Sequence, residues 1–591
     1  MNLSAILHIP QSNYAYAYRR DILHIRLRTA RDDIRQAVLV IARKHRFHEK
    51  SRIPMTRVAQ DTLHDYYQCA FETDDPRLGY YFELTGGAEE LIYAESGFSG
   101  VFDDRDAHFH YFQYPYIHEV DVHRVPSWVR DAVFYQIFVE RFYNGDQSND
   151  PEGISPWREP PQPYSFYGGD LRGILEKLDY VKSLGVNGIY LTPIFRSPSN
   201  HKYDTVDYKE IDPCFGDRDT LRELVEHAHA RGIRVLLDGV FNHSSVWFAP
   251  FLDVLERGEE SPYQDWFHID SFPVRRFERE QYEDYRKAPA EEEINYRVFS
   301  AAASMPKLNT VNPDLERYLL DSVAGWMRDT GIDGWRLDVS DEVDHAFWRK
   351  FRRTVKEINP EALILGENWH NAYPWLQGDQ FDGVMNYPVT RSCVRYFARG
   401  ELTTARFAED VSACMMWISR QAADAMLNLL DSHDTPRFLT QCGGDVRRFK
   451  LAVLFLFCFE GIPCLYYGDE IGMAGGGDPD CRRTFPWDEK EWNHGLLDFC
   501  RSVAFLRRDC APLREGELML RADGDVLVLT RSLEGESVTA AINNSSCEQQ
   551  LVCSASAVSL LTTEGASIGN GLITLPPFSS ALYAGGMDSC G

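Results

Sequence analysis

The sequence predicts an α/β protein: a (β/α)8 TIM barrel with an inserted subdomain after strand 3, flanked by N-terminal and C-terminal β-sandwich domains. Three observations predict it. Between residues 123 and 505, eight short apolar runs alternate with amphipathic helical segments. Four of those runs end at or just before a carboxylate, and barrel enzymes keep their chemistry at that end of the strands. Residues 1–122 and 506–591 are instead rich in short β runs separated by polar turns, with little helical period.

In chain order, residues 22–28 and 79–84 are the clearest strands of the N-terminal sandwich. The barrel runs follow at 133–138, 188–191, 234–237, 334–337, 363–365, 383–386, 427–430 and 462–467. One unit is especially legible: Leu221, Leu224, Val225 and Ala228 form a helical apolar stripe, Gly232 ends the helix, and 234–237 is a buried strand. Eight such units over about 380 residues fit a closed barrel better than an open sheet, with the surplus length in insertions. The largest insertion is the aromatic, Pro-rich stretch at about 243–300, after the third strand. Residues 526–530 mark the C-terminal sandwich.

Composition narrows the function. With 591 residues, 44% hydrophobic and 26% charged, the chain is an ordinary globular protein and not a disordered, collagen-like or disulfide-stapled one. Its 62 Lys+Arg against 89 Asp+Glu give a net charge of −27, and the chain has no basic run, which excludes nucleic acid and an anionic membrane as partners. Thirteen Cys without a single C-x-x-C pair read as reduced, buried thiols. The N-terminus lacks a signal-peptide pattern, and the apolar run at 451–459 stops at Glu460, so a soluble, cytoplasmic protein is expected.

The strand-end carboxylates are Asp238, Asp338, Glu367 and, just beyond its run, Asp434. Any one of them could simply cap a helix, but four together imply a convergent acidic pocket. Arg336, two residues before Asp338, shares its face of the strand, and His243 and His433 accompany the first and last carboxylates. An Arg beside one carboxylate keeps it charged as a nucleophile, while a second, kept protonated, serves as the acid; that division of labour is glycoside hydrolysis. Neutral sugars also stack on aromatic rings, and Tyr203, Trp247, Phe299, Trp369 and Tyr387 lie near the loops.

These residues carry a resemblance. Asp238-Gly239-Val240-Phe241-Asn242-His243, Gly334-Trp335-Arg336-Leu337-Asp338, Leu365-Gly366-Glu367-Asn368-Trp369 and Leu430-Asp431-Ser432-His433-Asp434 resemble the four ordered sequence regions of the α-amylase family. Met305-Pro306-Lys307-Leu308-Asn309 resembles a fifth region, that of the neopullulanase, cyclomaltodextrinase and maltogenic amylase subgroup. By that resemblance Asp338 is the nucleophile, Glu367 the general acid/base and Asp434 the transition-state stabiliser. Arg336, His243 and His433 support them, Tyr203 stacks under the sugar, Asp238 orders the pocket, and Asp478 with Arg482 grips the same sugar. Glu342 falls by the acceptor side, and Trp369 is a further substrate-binding residue. Two departures stand out: Asn368 where the subgroup usually has Ile, and Asp341 where it usually has Asn.

The resemblance implies hydrolysis of α-1,4 bonds in cyclomaltodextrins, pullulan and maltooligosaccharides or starch, with transglycosylation, by a homodimer whose N-terminal domain narrows its partner's cleft. A glucanosyltransferase is the same-fold alternative. A non-enzymatic carbohydrate-binding or ancillary protein is the other, but such proteins lack the catalytic carboxylates. An oxygen-only cluster of Asn144, Asp146, Asn149, Asp150, Gly168 and Asp170 suits structural Ca²⁺, and it is not an EF-hand because Ser155 stands at the twelfth position. Subgroup members carry calcium at this loop.

Overall fold

The computed structural model describes residues 1–87, 89–101 and 104–585. The N-terminal part is two antiparallel sheets. One orders Ala15–Arg19, Ile22–Ala30, His64–Glu72 and Thr56–Gln60; the other centres on Leu78–Gly86, paired with Gln36–Arg43, Glu89–Ala94 and Phe112–Tyr114. Alternation turns Leu23, Ile25 and Leu27 of the first sheet toward Leu39, Tyr80, Phe82 and Leu84 of the second, giving this part a core of its own.

Eight parallel strands then form the barrel: β1 (Phe134–Ile137), β2 (Gly188–Leu191), β3 (Arg234–Gly239), β4 (Gly334–Leu337), β5 (Leu363–Gly366), β6 (Gly383–Val384), β7 (Leu427–Asn428) and β8 (Ile462–Tyr466). Their order is β6-β5-β4-β3-β2-β1-β8-β7, and a parallel bridge between Met385 and Leu427 joins the two ends. The runs at 383–386 and 427–430 thus supply only two-residue strands, because Tyr387 opens a helix and Leu429 leads into the loop bearing Asp434.

The helix Arg218–Ala230 buries Leu221, Leu224, Val225 and Ala228, as the stripe predicts; Asp217 caps it through the Thr220 N–H at 2.8 Å, and Gly232 follows at φ +68°. The unit after β5 differs from expectation: its connection to β6 carries only the single turn Tyr373–Trp375. The excursion after β3 contains the helix Ala249–Arg257 and returns through bridges that pair Val298 with Pro306 and Phe267 with Leu308. Phe251, Phe267 and Tyr296 tie it into the barrel core.

The apolar run 451–459 belongs to the helix Val446–Cys458, whose residues from Leu451 on are all buried. No described helix is long and apolar enough to cross a membrane. Beyond the helices His494–Asp509 and Ala511–Glu515, a five-stranded and a three-stranded sheet form the C-terminal sandwich. Its strand Val526–Leu533 serves two cores at once: Val526 and Val528 meet Leu551 and Ile573 of the smaller sheet, while Leu527 and Leu529 join the barrel core. Two buried guanidinium groups fasten this junction. Arg507 donates to the carbonyls of Phe457, Phe459 and Gly461, and Arg531 to those of Cys458, Gly516 and Arg514, so the C-terminal carbonyls of Val446–Cys458 find donors.

Candidate active site

Strand parity builds the site. On β4, Trp335 and Leu337 point outward into the helical layer, so Arg336 between them points to the barrel axis. The β3–β4 register sets Asp238 beside it. Arg336 is fully buried; its Nη1 donates to Asp238 Oδ2 at 2.9 Å and to Asp338 Oδ1 at 2.8 Å. Its Nη2 lies 2.9 Å from Glu367 Oε2, in ion-pair contact but without hydrogen-bond alignment. Three carboxyl groups therefore share one guanidinium.

Three acids around one cation cannot all ionise together in a dry setting. Burial holds Asp238 up at about 6, against the opposing pull of Arg336 and of the Tyr190 and Tyr203 hydroxyls. Burial also pushes Asp338 well up; Arg336 pulls it down, and Glu367 and Asp238 push it back. Burial alone would depress Arg336, but Asp238 and Glu367 outweigh it and hold the cation fixed.

A hydrogen-bonded chain orients the other side. Gln136 of β1 donates to His433 Nδ1 at 2.7 Å, which leaves the ring hydrogen on Nε2 for the Tyr203 hydroxyl at 2.6 Å; Tyr203 in turn donates to Asp238 Oδ2 at 2.9 Å. The Tyr203 and His433 rings stack at 5.3 Å with 4° between planes. Burial, then Arg482 and Arg336, keep His433 neutral.

Above this layer opens a cavity of about 550 Å³, lined by Tyr203, Asp338, Glu367, Asp434 and Arg482 among others. His243, Glu342, Trp369 and Asp478 also face it, whereas Asp238, Arg336 and His433 lie beneath its floor. Arg482 is 3.0 Å from Asp478 Oδ1 and 3.4 Å from Asp434 Oδ1. The carboxyl of Glu367 takes the Val339 N–H at 3.0 Å and the Trp369 indole N–H at 3.2 Å. Val339 holds that N–H at φ +44°, a strained angle for a β-branched residue. Trp369 stacks on Tyr387 with ring centroids 3.7 Å apart and is 52% exposed. His243 stacks on Phe299 at 4.7 Å, and burial drives it down to about 3. Glu342 stands at the rim, 3.3 Å from Lys307 Nζ.

Residues 136–506 match the profile described as "Alpha amylase, catalytic domain", and residues 1–118 that of "Alpha amylase, N-terminal ig-like domain". The chain belongs to the α-amylase family. It is a glycoside hydrolase of that family, similar to a cyclomaltodextrinase of Geobacillus thermopakistaniensis (45% identity, 99% of each chain). It is also similar to neopullulanase 2 of Thermoactinomyces vulgaris, at 46% identity over 92% of this chain and 91% of the relative. A solved cyclomaltodextrinase structure superposes with a TM-score of 0.91 at 42% identity, covering 99% of this chain and 100% of the other.

The α-amylase-family motifs left some contributors unmarked. Gln136 and Tyr190 were missed; Tyr190 donates to Asp238 Oδ2 at 2.6 Å. A polar residue within an apolar strand run is the signal that both offered. His201, Met305 and Asp341 also line the cavity. At the two departures, buried Asn368 accepts from Ser340 Oγ at 2.9 Å while its Nδ2 has no partner, and Asp341 pairs with His370 at 2.9 Å.

The loop after β1 gathers most of the oxygen cluster. Asn144 Oδ1 and Asn149 Oδ1 are buried without a hydrogen-bond donor, an arrangement that suits a hard cation. Asn144 Nδ2 donates to Asp150 Oδ1 at 2.7 Å, and Gly168, at φ +80°, leaves no room for a Cβ, which would fall 2.2 Å from Asp150 Oδ1. Asp170 is also the N-cap of Leu171–Ser183, taking the Gly173 N–H at 2.6 Å. The exposed carboxylate of Asp146 also caps Ser148, through Oδ1 alone. Among the described residues no group of three or more His, Cys, Asp or Glu side chains is placed to hold a metal, so a cation here depends on the amide oxygens.

Proposed function

We propose that the protein is a retaining hydrolase of α-1,4-glucosidic bonds in cyclomaltodextrins, pullulan and maltooligosaccharides or starch, with transglycosylation. The observation that carries this reading is the pair Asp338 and Glu367, held on Arg336 and facing Asp434 across one cavity. Asp338 attacks the anomeric carbon while protonated Glu367 protonates the leaving oxygen; Glu367 then activates water, or a second sugar, to open the glycosyl-enzyme. The Val339 N–H and the Trp369 indole hold Glu367 in place between the two steps. Asp434 stabilises the oxocarbenium-like transition state, Tyr203 and His433 support the ring, and Asp478 with Arg482 holds its hydroxyls. The Asp341–His370 pair and Glu342 form the acceptor side, where the ratio of transfer to hydrolysis is set. The substrate range rests on similarity to a cyclomaltodextrinase and a neopullulanase. The test is product analysis on β-cyclodextrin, pullulan and soluble starch, with proton NMR of the first product. An α-anomer is expected, and Asp338→Asn and Glu367→Gln should each lower turnover by several orders of magnitude while folding normally; a β-anomer would reject retention.

The same proposal includes a structural Ca²⁺ held by Asn144, Asp146, Asn149, Asp150, Asp170 and the Gly168 carbonyl, which would neutralise the carboxylates of this loop; chelator-treated protein should gain melting temperature on adding calcium. It further includes a cytoplasmic homodimer formed through the N-terminal domain. Eleven described cysteines, from Cys69 to Cys547, form no disulfide with one another, which supports a reducing compartment. Sedimentation of the whole chain and of one lacking residues 1–122 tests the dimer.

A further inference from the structure

Behind the wall formed by Asp434 and Arg482 lies a second charged cluster that the chemistry above leaves unused. Asp431, Asp469 and Glu470 are buried, and they face the guanidinium of Arg437, which is also fully buried. Arg437 Nη1 is 3.1 Å from Asp469 Oδ1 and donates to the Tyr467 carbonyl at 2.8 Å; its Nε donates to the Cys481 carbonyl at 3.1 Å and its backbone N–H to Gly475. One side chain therefore ties together the loop bearing Asp434, the turn after β8 and the loop bearing Asp478 and Arg482.

The Asp431 and Asp469 carboxyls adjoin one another beside Arg437, and burial pushes both up. Asp431 Oδ2 accepts the Phe438 N–H, but its buried Oδ1 has no N–H or hydroxyl donor. Three buried acids facing one cation cannot all be charged, and the donorless Oδ1 of Asp431 beside the Asp469 carboxyl points to a proton held between those two. Neighbouring groups do not supply it. Glu470 Oε1 is taken up by the Tyr135 and Tyr180 hydroxyls, and burial keeps the thiols of Cys442, Cys464 and Cys500 protonated and uncharged. The Tyr466 and Tyr467 rings cover Arg437 at 4.3 and 4.9 Å.

We propose that Asp469 is kept as a neutral carboxylic acid that donates its proton to Asp431, making Asp431, Asp469 and Arg437 one charge-balanced unit that positions Asp434 and Arg482. The direction of the proton follows from what each carboxyl lacks: Asp431 takes the Phe438 N–H on Oδ2 and wants a donor at Oδ1, whereas Asp469 meets Arg437 through Oδ1, which leaves its Oδ2 to carry the proton. The positioning role rests on the reading that Asp434 and Arg482 act on the bound sugar; the protonation state does not.

The experiment compares Asp469→Asn with Asp469→Leu in the full chain. Asparagine reproduces the neutral acid, accepting from Arg437 and donating to Asp431, and should keep turnover within about threefold. Leucine removes the unit and should lower kcat about 100-fold with less effect on KM, the scale of loss for a catalytic group displaced by about 1 Å. Independently of activity, infrared spectra at neutral pH should show a protonated-carboxyl C=O stretch in the unaltered protein that is missing in Asp469→Asn. This readout stands even if the leucine variant does not fold. Absence of that difference band would overturn the protonation, and a loss in Asp469→Asn as large as that in Asp469→Leu would overturn the positioning role.

Discussion

Arg336 and Arg507 are both fully buried guanidinium groups, yet they do opposite work. Arg336 is ringed by Asp238, Asp338 and Glu367, groups whose charge changes as a bond is made and broken. Arg507 meets only the backbone carbonyls of Phe457, Phe459 and Gly461, whose charge never changes; burial accordingly pulls Arg507 down to about 10, while Arg336 is pushed up by its acids. In this pair, the cation set among the catalytic acids serves chemistry, and the one set only among carbonyls fastens structural layers.

Three substitutions sharpen this contrast. The largest effect is expected for Arg336→Met, which frees three buried carboxyls from their shared cation. Turnover should fall by at least about 100- to 1,000-fold, the scale of losing one preorganised electrostatic partner, as read by steady-state kinetics on β-cyclodextrin. Arg507→Met should instead leave kcat within about twofold and lower stability by about 2 kcal/mol in denaturant unfolding, because buried carbonyls lose their donor. Equal losses of activity in both variants would erase the distinction. The smallest effect belongs to Tyr190→Phe. Its hydroxyl favours the ionised form of Asp238, which burial holds at about 6. Removing that donor raises the pKa further, so Asp238 takes its proton at higher pH and the acid limb of kcat/KM should move upward; an unmoved or lowered limb would contradict the assignment.

Much of the site was legible because its signals are local. Asp238, Asp338 and Glu367 each follow an apolar run, and Arg336 keeps the parity of Asp338, so strand period alone set them on one axis. Gln136 and Tyr190 sit within apolar strands, where sequence does not say that a group on the next strand, as Asp238 is for Tyr190, or two strands away, as His433 is for Gln136, needs a donor. The Asp431–Asp469 contact joins loops after two different strands and exists only in the folded barrel. Asp146 is ambiguous for a related reason: Asp serves equally as a metal ligand and as the cap of a short turn, and its Oδ1 caps Ser148 while Oδ2 takes no part in that cap. The short β6 and β7 show the same limit, since apolar runs of four residues persist past the point where the backbone leaves the sheet.

The strand Val526–Leu533 has a consequence for how the gene tolerates change. With Val526 and Val528 in one core and Leu527 and Leu529 in another, residue type matters less than residue parity: each of the four is aliphatic, and exchanging one for another is a modest repacking. Adding or deleting a single codon there would carry every following side chain of the strand to the opposite face and break two cores together. The same codon change in the turn at Gly524, exposed at φ +58° with open space around it, would meet no such penalty. Length, more than identity, is what selection must guard in this stretch.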